Sequence, residues 1–296
     1  IRKRTLGTET PAVAQVLSGL ASLYKLQGRF GKAEKYSRKS LTIYEKVDGP
    51  VHKAVADAVN LLARIYHNQG RYKDAEALYK RSLLIAEKAY GPDSLAIATF
   101  LQSLGVMYNV LGRNLEAEPL LKRALSINTK ILKPGHPSLA SNLHALSRLH
   151  HSLGHLVKAE QFLIRAIKSD NKVFGPEHRR IGMNLNNLAM LYLSQGKYAK
   201  AEPLFIRSVK IAENALGNTH IELARPLHNI AHFYSSQGQG GKALSFIRRA
   251  TEIHRKRAKN KGGYSVGNLS ERKSVRYDFS IHVGTSFGVM GNDSSK

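Results

Sequence analysis

Four stretches of the sequence hold residue types that could do chemistry. His228 and His232 stand four residues apart and His144 and His151 seven apart, spacings that put two imidazoles on one helix face, where they could share a metal ion. Two imidazoles supply only part of the three or four ligands zinc takes, and no acidic or Cys partner is fixed beside them by spacing. GQGGKA (Gly238–Ala243) has the composition of a phosphate-binding loop, but that loop needs a Gly at the position of Ser236 and a Ser or Thr at the position of Ala243. Arg255, Lys256, Arg257, Lys259 and Lys261 crowd together beyond what capping a helix requires and would suit an acidic partner or nucleic acid. With no Cys, no Ser–His–Asp constellation and no paired carboxylates, the reading is a chain without catalytic residues, cofactor or metal.

The chain has 296 residues, 42% of them hydrophobic, with 46 Lys+Arg against 21 Asp+Glu and a formal net charge of +25. That is too apolar for a disordered tail, and the charge is dispersed, since every successive block of fifty residues is net positive. A focused basic stripe is what strong nucleic-acid binding needs, so the dispersal counts against that reading. No run of about 18 apolar residues is present to span a bilayer, and IRKRTLGTETPAV is not followed by the apolar core of a signal peptide. A soluble, cytoplasmic protein is the expectation.

These residues have to be positioned by something, and self-similarity shows what. Gly28, Gly70, Gly112, Gly154, Gly196 and Gly238 follow one another at 42-residue steps. The same step links Ala33, Ala75, Ala117, Ala159, Ala201 and Ala243, and Tyr24, Tyr66, Tyr108, His150, Tyr192 and Tyr234. Leu185, Leu188, Ala189 and Tyr192 fall on one face of a helix that Gly196 can close, and Ala201, Leu204, Phe205, Ser208, Val209 and Ile211 mark the next. Gly and Pro in YGPDS, KPGHPS and FGPEH separate one helical hairpin from the next. Pro119 and Pro203, early in second helices, are expected to make those starts slightly irregular. A lone hairpin cannot bury its apolar stripe, so the hairpins must stack.

The pattern LxxLAxLYxxQGRYxxAExLYxRSLxIxExxxGPxS, legible at Leu62–Ser94 and again around Leu185–Gly217, resembles the tetratricopeptide repeat in its kinesin-light-chain-like, 42-residue form. The resemblance implies an all-α fold, a right-handed superhelical α-solenoid of stacked helix-turn-helix hairpins. In that frame residues 1–6 end a preceding repeat helix, 7–258 are six tandem units and 259–296 an irregular basic tail, within which RYDFSIHVG (Arg276–Gly284) reads as a short strand or docked segment. The opening register, inside a second helix and without an initiator Met, reads as part of something longer.

The resemblance further implies that the first helix of each unit lines a concave surface and that positions two, five, nine and twelve face a ligand. Carried onto this chain, the groove includes Lys25, Asn60, Arg64, His67, Asn109, His144, Arg148 and His151, then Met183, Asn186, Met190, Arg225, His228 and His232. Asn187 and Asn229 occupy the neighbouring position, where related peptide-clamping repeats often place Asn. Asp57 is the one acid on this line, and Met183, Met190 and Leu193 read as an apolar anchor pocket. Arg can pair bidentately with carboxylates, so the implied function is a non-catalytic scaffold that takes an acidic or mixed peptide or protein partner. Two other readings remain: the sensor region of a larger bacterial protein with a downstream caspase-like CHAT peptidase, and a basic nucleic-acid-binding solenoid. A recurrent second-helix ladder, Lys39, Arg81, Arg123, Arg165, Arg207 and Arg249, is assigned to fold and solubility.

Overall fold

The computed structural model describes residues 9–260. They form twelve α-helices: α1 (Pro11–Leu26), α2 (Phe30–Asp48), α3 (Lys53–Gln69), α4 (Tyr72–Tyr90), α5 (Leu95–Val110), α6 (Asn114–Ile131), α7 (Pro137–Ser152), α8 (Leu156–Phe174), α9 (Arg179–Ser194), α10 (Tyr198–Leu216), α11 (Ala224–Ser236) and α12 (Gly240–Asn260). No strand occurs among the described residues. Arg276–Gly284 and the side chains of Arg257, Lys259 and Lys261 lie outside what is described. No described helix is long and apolar enough to cross a membrane.

Each hairpin turn follows from its glycine. At the end of α1, Gly28 takes φ 72°, its N–H donates to the Lys25 carbonyl at 3.0 Å, and the Arg29 N–H donates to the Tyr24 carbonyl at 2.9 Å. That double bond is the Schellman closure, and it satisfies carbonyls the helix end would otherwise leave bare. Arg71, Arg113, Lys197 and Gln239 repeat the longer bond to Tyr66, Tyr108, Tyr192 and Tyr234. The GQGGKA segment is one of these turns: Gly238 at φ 69° closes α11 and Gly240 opens α12, so it is a helix connector.

First helices begin on a side-chain cap. Thr10 accepts from the Val13 N–H and Ser94 from the Ile97 N–H, while His52, His136, His178 and His220 accept through Nδ1 from the N–H two residues on. Four of the thirteen histidines thus act as caps. Ahead of α11 the chain makes a 3₁₀ turn, Ile221–Leu223, because Pro226 has no N–H to give the Glu222 carbonyl. Pro119 and Pro203 sit inside continuous helices, and at the start of α10 the Lys200 N–H donates to the Lys197 carbonyl three residues back at 3.1 Å, a slight irregularity of the kind expected. Each leaves one carbonyl, of Leu115 or Ala199, without its helical donor, on an exposed turn where water can serve it.

The described residues divide into two compact units, 9–133 with 141–153 and 134–140 with 154–260. In both, consecutive helices pack in order, and the alanine series at the hairpin crossing is fully buried. Hairpins are tied by a recurring polar contact in which a first-helix tyrosine donates to a glutamate of the preceding second helix. In unit 1 these are Tyr66 to Glu34 and Tyr108 to Glu76, each at 3.0 Å; in unit 2, Tyr192 to Glu160 at 2.7 Å and Tyr234 to Glu202 at 2.9 Å. His150 replaces the tyrosine once, 4.0 Å from Glu118. Glu34, Glu76 and Glu118 also make the i, i+4 pairs with Arg38, Lys80 and Lys122.

The arginine ladder ties hairpins too. Arg81 pairs with Glu45, Arg123 reaches Glu87 and the Pro92 carbonyl, each at 2.9 Å, Arg207 reaches Glu177 and the Pro176 carbonyl, and Arg249 pairs with Glu213. Its conserved spacing along the chain therefore reflects fold.

Unit 2 holds a buried polar lock. Asp170, 1% exposed, accepts Arg180 Nε and Asn184 Nδ2 on Oδ2 at 3.2 and 3.0 Å, and its Oδ1 lies 2.9 Å from Arg180 Nη2 as an ion pair without hydrogen-bond alignment. Arg180 also donates to the Gly135 carbonyl and lies over the Phe174 ring. One step earlier in the repeat, inside unit 1, the homologous positions are the neutral pair Asn128 and Asn142, 2.5 Å apart.

Candidate functional site

Within unit 1 the first helices α1, α3 and α5 approach one another, as do α9 and α11 in unit 2, while the described second helices show no comparable approach. Each unit therefore curves toward its first helices, the face on which the groove residues were expected.

On α3, Asn60, Arg64 and His67 share one face, at i, i+4 and i+7. Asn60 is buried, 6% exposed, and its Oδ1 has no hydrogen-bond partner. His67 lies edge-on to Tyr72 and Tyr79, with ring centroids 5.7 and 6.5 Å away. Burial pushes its pKa below the ordinary histidine value, and the charges of Arg148 and then Arg64 push it further down. Burial lowers Lys25, on the last turn of α1, to about 8, with Arg64 adding repulsion. Arg64 and Arg148 are exposed, and among the described residues Lys25, Arg64 and Arg148 have no ion-pair partner. Three cations and a neutral imidazole thus occupy one electrostatic neighbourhood with no acid facing them.

Asp57, the acid of this line, is held aside: the Tyr90 hydroxyl donates to its Oδ2 at 2.7 Å. Burial raises its pKa above the ordinary aspartate value, and the tyrosine bond partly offsets that rise.

The other expected groove residues are placed differently. Asn109 Nδ2 donates to Asn114 Oδ1 at 3.0 Å and to Ser152 Oγ at 2.9 Å, so its amide bridges helices. His144 is half-buried on α7, and His151 is exposed there. In unit 2, Asn229 Nδ2 donates to Asn186 Oδ1 at 3.0 Å, joining α11 to α9, and Asn187 is half-buried beside them. Arg225 is exposed, His228 is buried and stacks on His254 with centroids 5.6 Å apart, and His232 is half-buried. Among the described residues no group of three metal-capable side chains gathers. Met190 and Leu193 pack against the unit 2 core, while Met183 stands half exposed.

Tyr79 is the residue that groove positions alone do not reveal. It belongs to the second-helix core series Ser37, Tyr79, Leu121, Leu163, Phe205 and Ile247, where a phenol is out of place. Burial raises its pKa, with Arg64 opposing, so the hydroxyl keeps its proton and remains a donor beside His67.

The tetratricopeptide-repeat profile matches residues 1–46, 54–109, 97–172 and 180–256, and the chain belongs to the tetratricopeptide repeat family. Solved structures share its fold. BtubC (BKLC) from P. vanneervenii is 21% identical, with a TM-score of 0.59 over 82% of this chain and 94% of that one. A kinesin light chain with nearly identical TPR-like repeats from Podosopora anserina is 23% identical, with a TM-score of 0.60 over 70% and 98%. A Rap protein complexed with competence and sporulation factor is 13% identical, with a TM-score of 0.63 over 95% and 77%. Among curated proteins none matches the chain. The fold class is thus an all-α helical-repeat solenoid, of the kind that mediates protein–protein interaction.

Proposed function

We propose that the chain is a non-catalytic interaction scaffold that receives an acidic or mixed peptide on the first-helix face of unit 1. The observation that carries this reading is Arg64 and Arg148 beside His67 and Lys25 beside Arg64, without a facing acid and with Asp57 turned to Tyr90. Exposed arginines free of internal pairs can grip carboxylates through their planar forks, and the unpartnered Asn60 Oδ1 can accept a peptide N–H. A Rap protein complexed with competence and sporulation factor is a precedent for a similar fold holding a partner. The nucleic-acid reading is weaker because four of the six ladder cations are engaged in inter-hairpin contacts.

The test is a screen of degenerate peptide pools of acidic, neutral and basic composition against the full chain. Preferential capture of acidic pools is expected; a screen returning only neutral or basic binders would end the reading.

A further inference from the structure

We propose that Lys25, Arg64 and Arg148, together with the His67 and Tyr79 donors, form a site for a phosphoryl group carried on a bound peptide. The inference rests on the peptide-binding reading and narrows it from acidic peptides at large to phosphorylated ones.

Charge and donor geometry both favour this anion over a single carboxylate. Three cations arrive from three separate helices within unit 1, α1, α3 and the part of α7 from Ser141 onward. A carboxylate offers one charge and two oxygens in a plane, which two arginine forks already exhaust. A phosphoryl group near neutral pH carries −1.5 to −2 and offers three strong acceptor oxygens in different directions. His67, neutral near pH 7, has one ring N–H to give, and Tyr79 keeps its hydroxyl proton. Asn60 Oδ1 meanwhile is a buried acceptor without a donor, which a peptide N–H supplies and a bare inorganic anion does not. Asp57 would repel a dianion, and Tyr90 holds it by a hydrogen bond.

Lys25 supplies a signature. Held at about 8 in the free chain, it is mostly charged at pH 7 and mostly neutral at pH 9, whereas a bound dianion favours its charged form. Across that range the arginines stay charged, His67 stays neutral and the phosphoryl group stays dianionic.

The experiment uses the full chain and fluorescein-labelled degenerate peptide pools, alike except for one central residue: phosphoserine, glutamate or serine. The phosphoserine pool is expected to bind at least about tenfold tighter than the glutamate pool, an advantage that Arg64→Met or Arg148→Met removes and Arg64→Lys only partly removes. Its affinity should also fall about tenfold from pH 7 to pH 9, a dependence that Lys25→Met abolishes. Equal binding of phosphoserine and glutamate pools, both lost when the arginines go, would overturn the phosphoryl inference and leave the peptide reading intact. If no pool binds but the ³¹P resonance of inorganic phosphate broadens with the wild-type chain and not with Arg64→Met, the anion site stands and the peptide reading falls. A single-stranded RNA oligonucleotide that displaces every pool would overturn it in favour of a nucleic-acid backbone.

Discussion

Asp170→Ala removes the centre of the unit 2 lock. The carboxylate is 1% exposed and holds Arg180 at two points, 2.9 and 3.2 Å, and Asn184 at 3.0 Å. Deleting one partner of a buried pair typically costs about 3–5 kcal/mol, because the other charge is left uncompensated. Arg180 keeps 17% exposure and its bond to the Gly135 carbonyl, so partial re-solvation places the expected loss near the lower end, about 3 kcal/mol. Asp170→Asn also leaves the Arg180 charge uncompensated but keeps an acceptor for it, so it should cost less than the alanine variant by about 1–1.5 kcal/mol. Urea unfolding followed by far-ultraviolet circular dichroism reads both, comparing midpoint and slope because repeat arrays need not unfold in one step. Adding Arg180→Met to Asp170→Ala should cost less than the sum of the two single changes. An Asp170→Ala loss below about 1 kcal/mol, or equal losses for Ala and Asn, would refute the reasoning.

Gly105→Ala places a Cβ 2.8 Å from Leu121 Cγ and should destabilise by about 1 kcal/mol net, whereas Gly19→Ala meets open space and should stabilise by up to about 1 kcal/mol; thermal melts of the pair check the contrast. Glu76 is held at about 2 by Arg113, Lys80 and Tyr108, below its unfolded value, so its contribution is present above pH 4.5 and lost as pH falls toward 2. Glu76→Gln should therefore flatten the acid limb of the pH–stability curve. Arg64→Glu removes the repulsion on Lys25 and should raise the lysine pKa above about 8, measurable by NMR titration of the side-chain carbons.

The hairpin frame was legible because it is written in residues with backbone consequences: the Gly28 series closes first helices and the Ala33 series crosses them. The candidate groove could be read only as positions, because a repeat register names which residues share a face and not which of them bond to one another. Asn60 and Asn186 stand at the same repeat position, yet Asn186 Oδ1 accepts from Asn229 across helices while Asn60 Oδ1 stays bare, a difference set by a neighbour 43 residues away. The spacings of His228 with His232 and of His144 with His151 suggested metal chemistry, while the loop positions of His52, His136, His178 and His220 hold the cap signal. Tyr79 escaped because apolar packing at its repeat position hides the hydroxyl in the series.

The most direct measurement is the affinity of an acidic peptide pool for the wild-type chain and for Arg64→Glu combined with Arg148→Glu. Both side chains are exposed, so helical content should be unchanged while the groove loses its positive charge. The expected result is a loss of acidic-pool binding of about a hundredfold or more, as two gripping charges become repulsive. Binding unchanged by the double reversal would contradict the assignment of this face as the partner site.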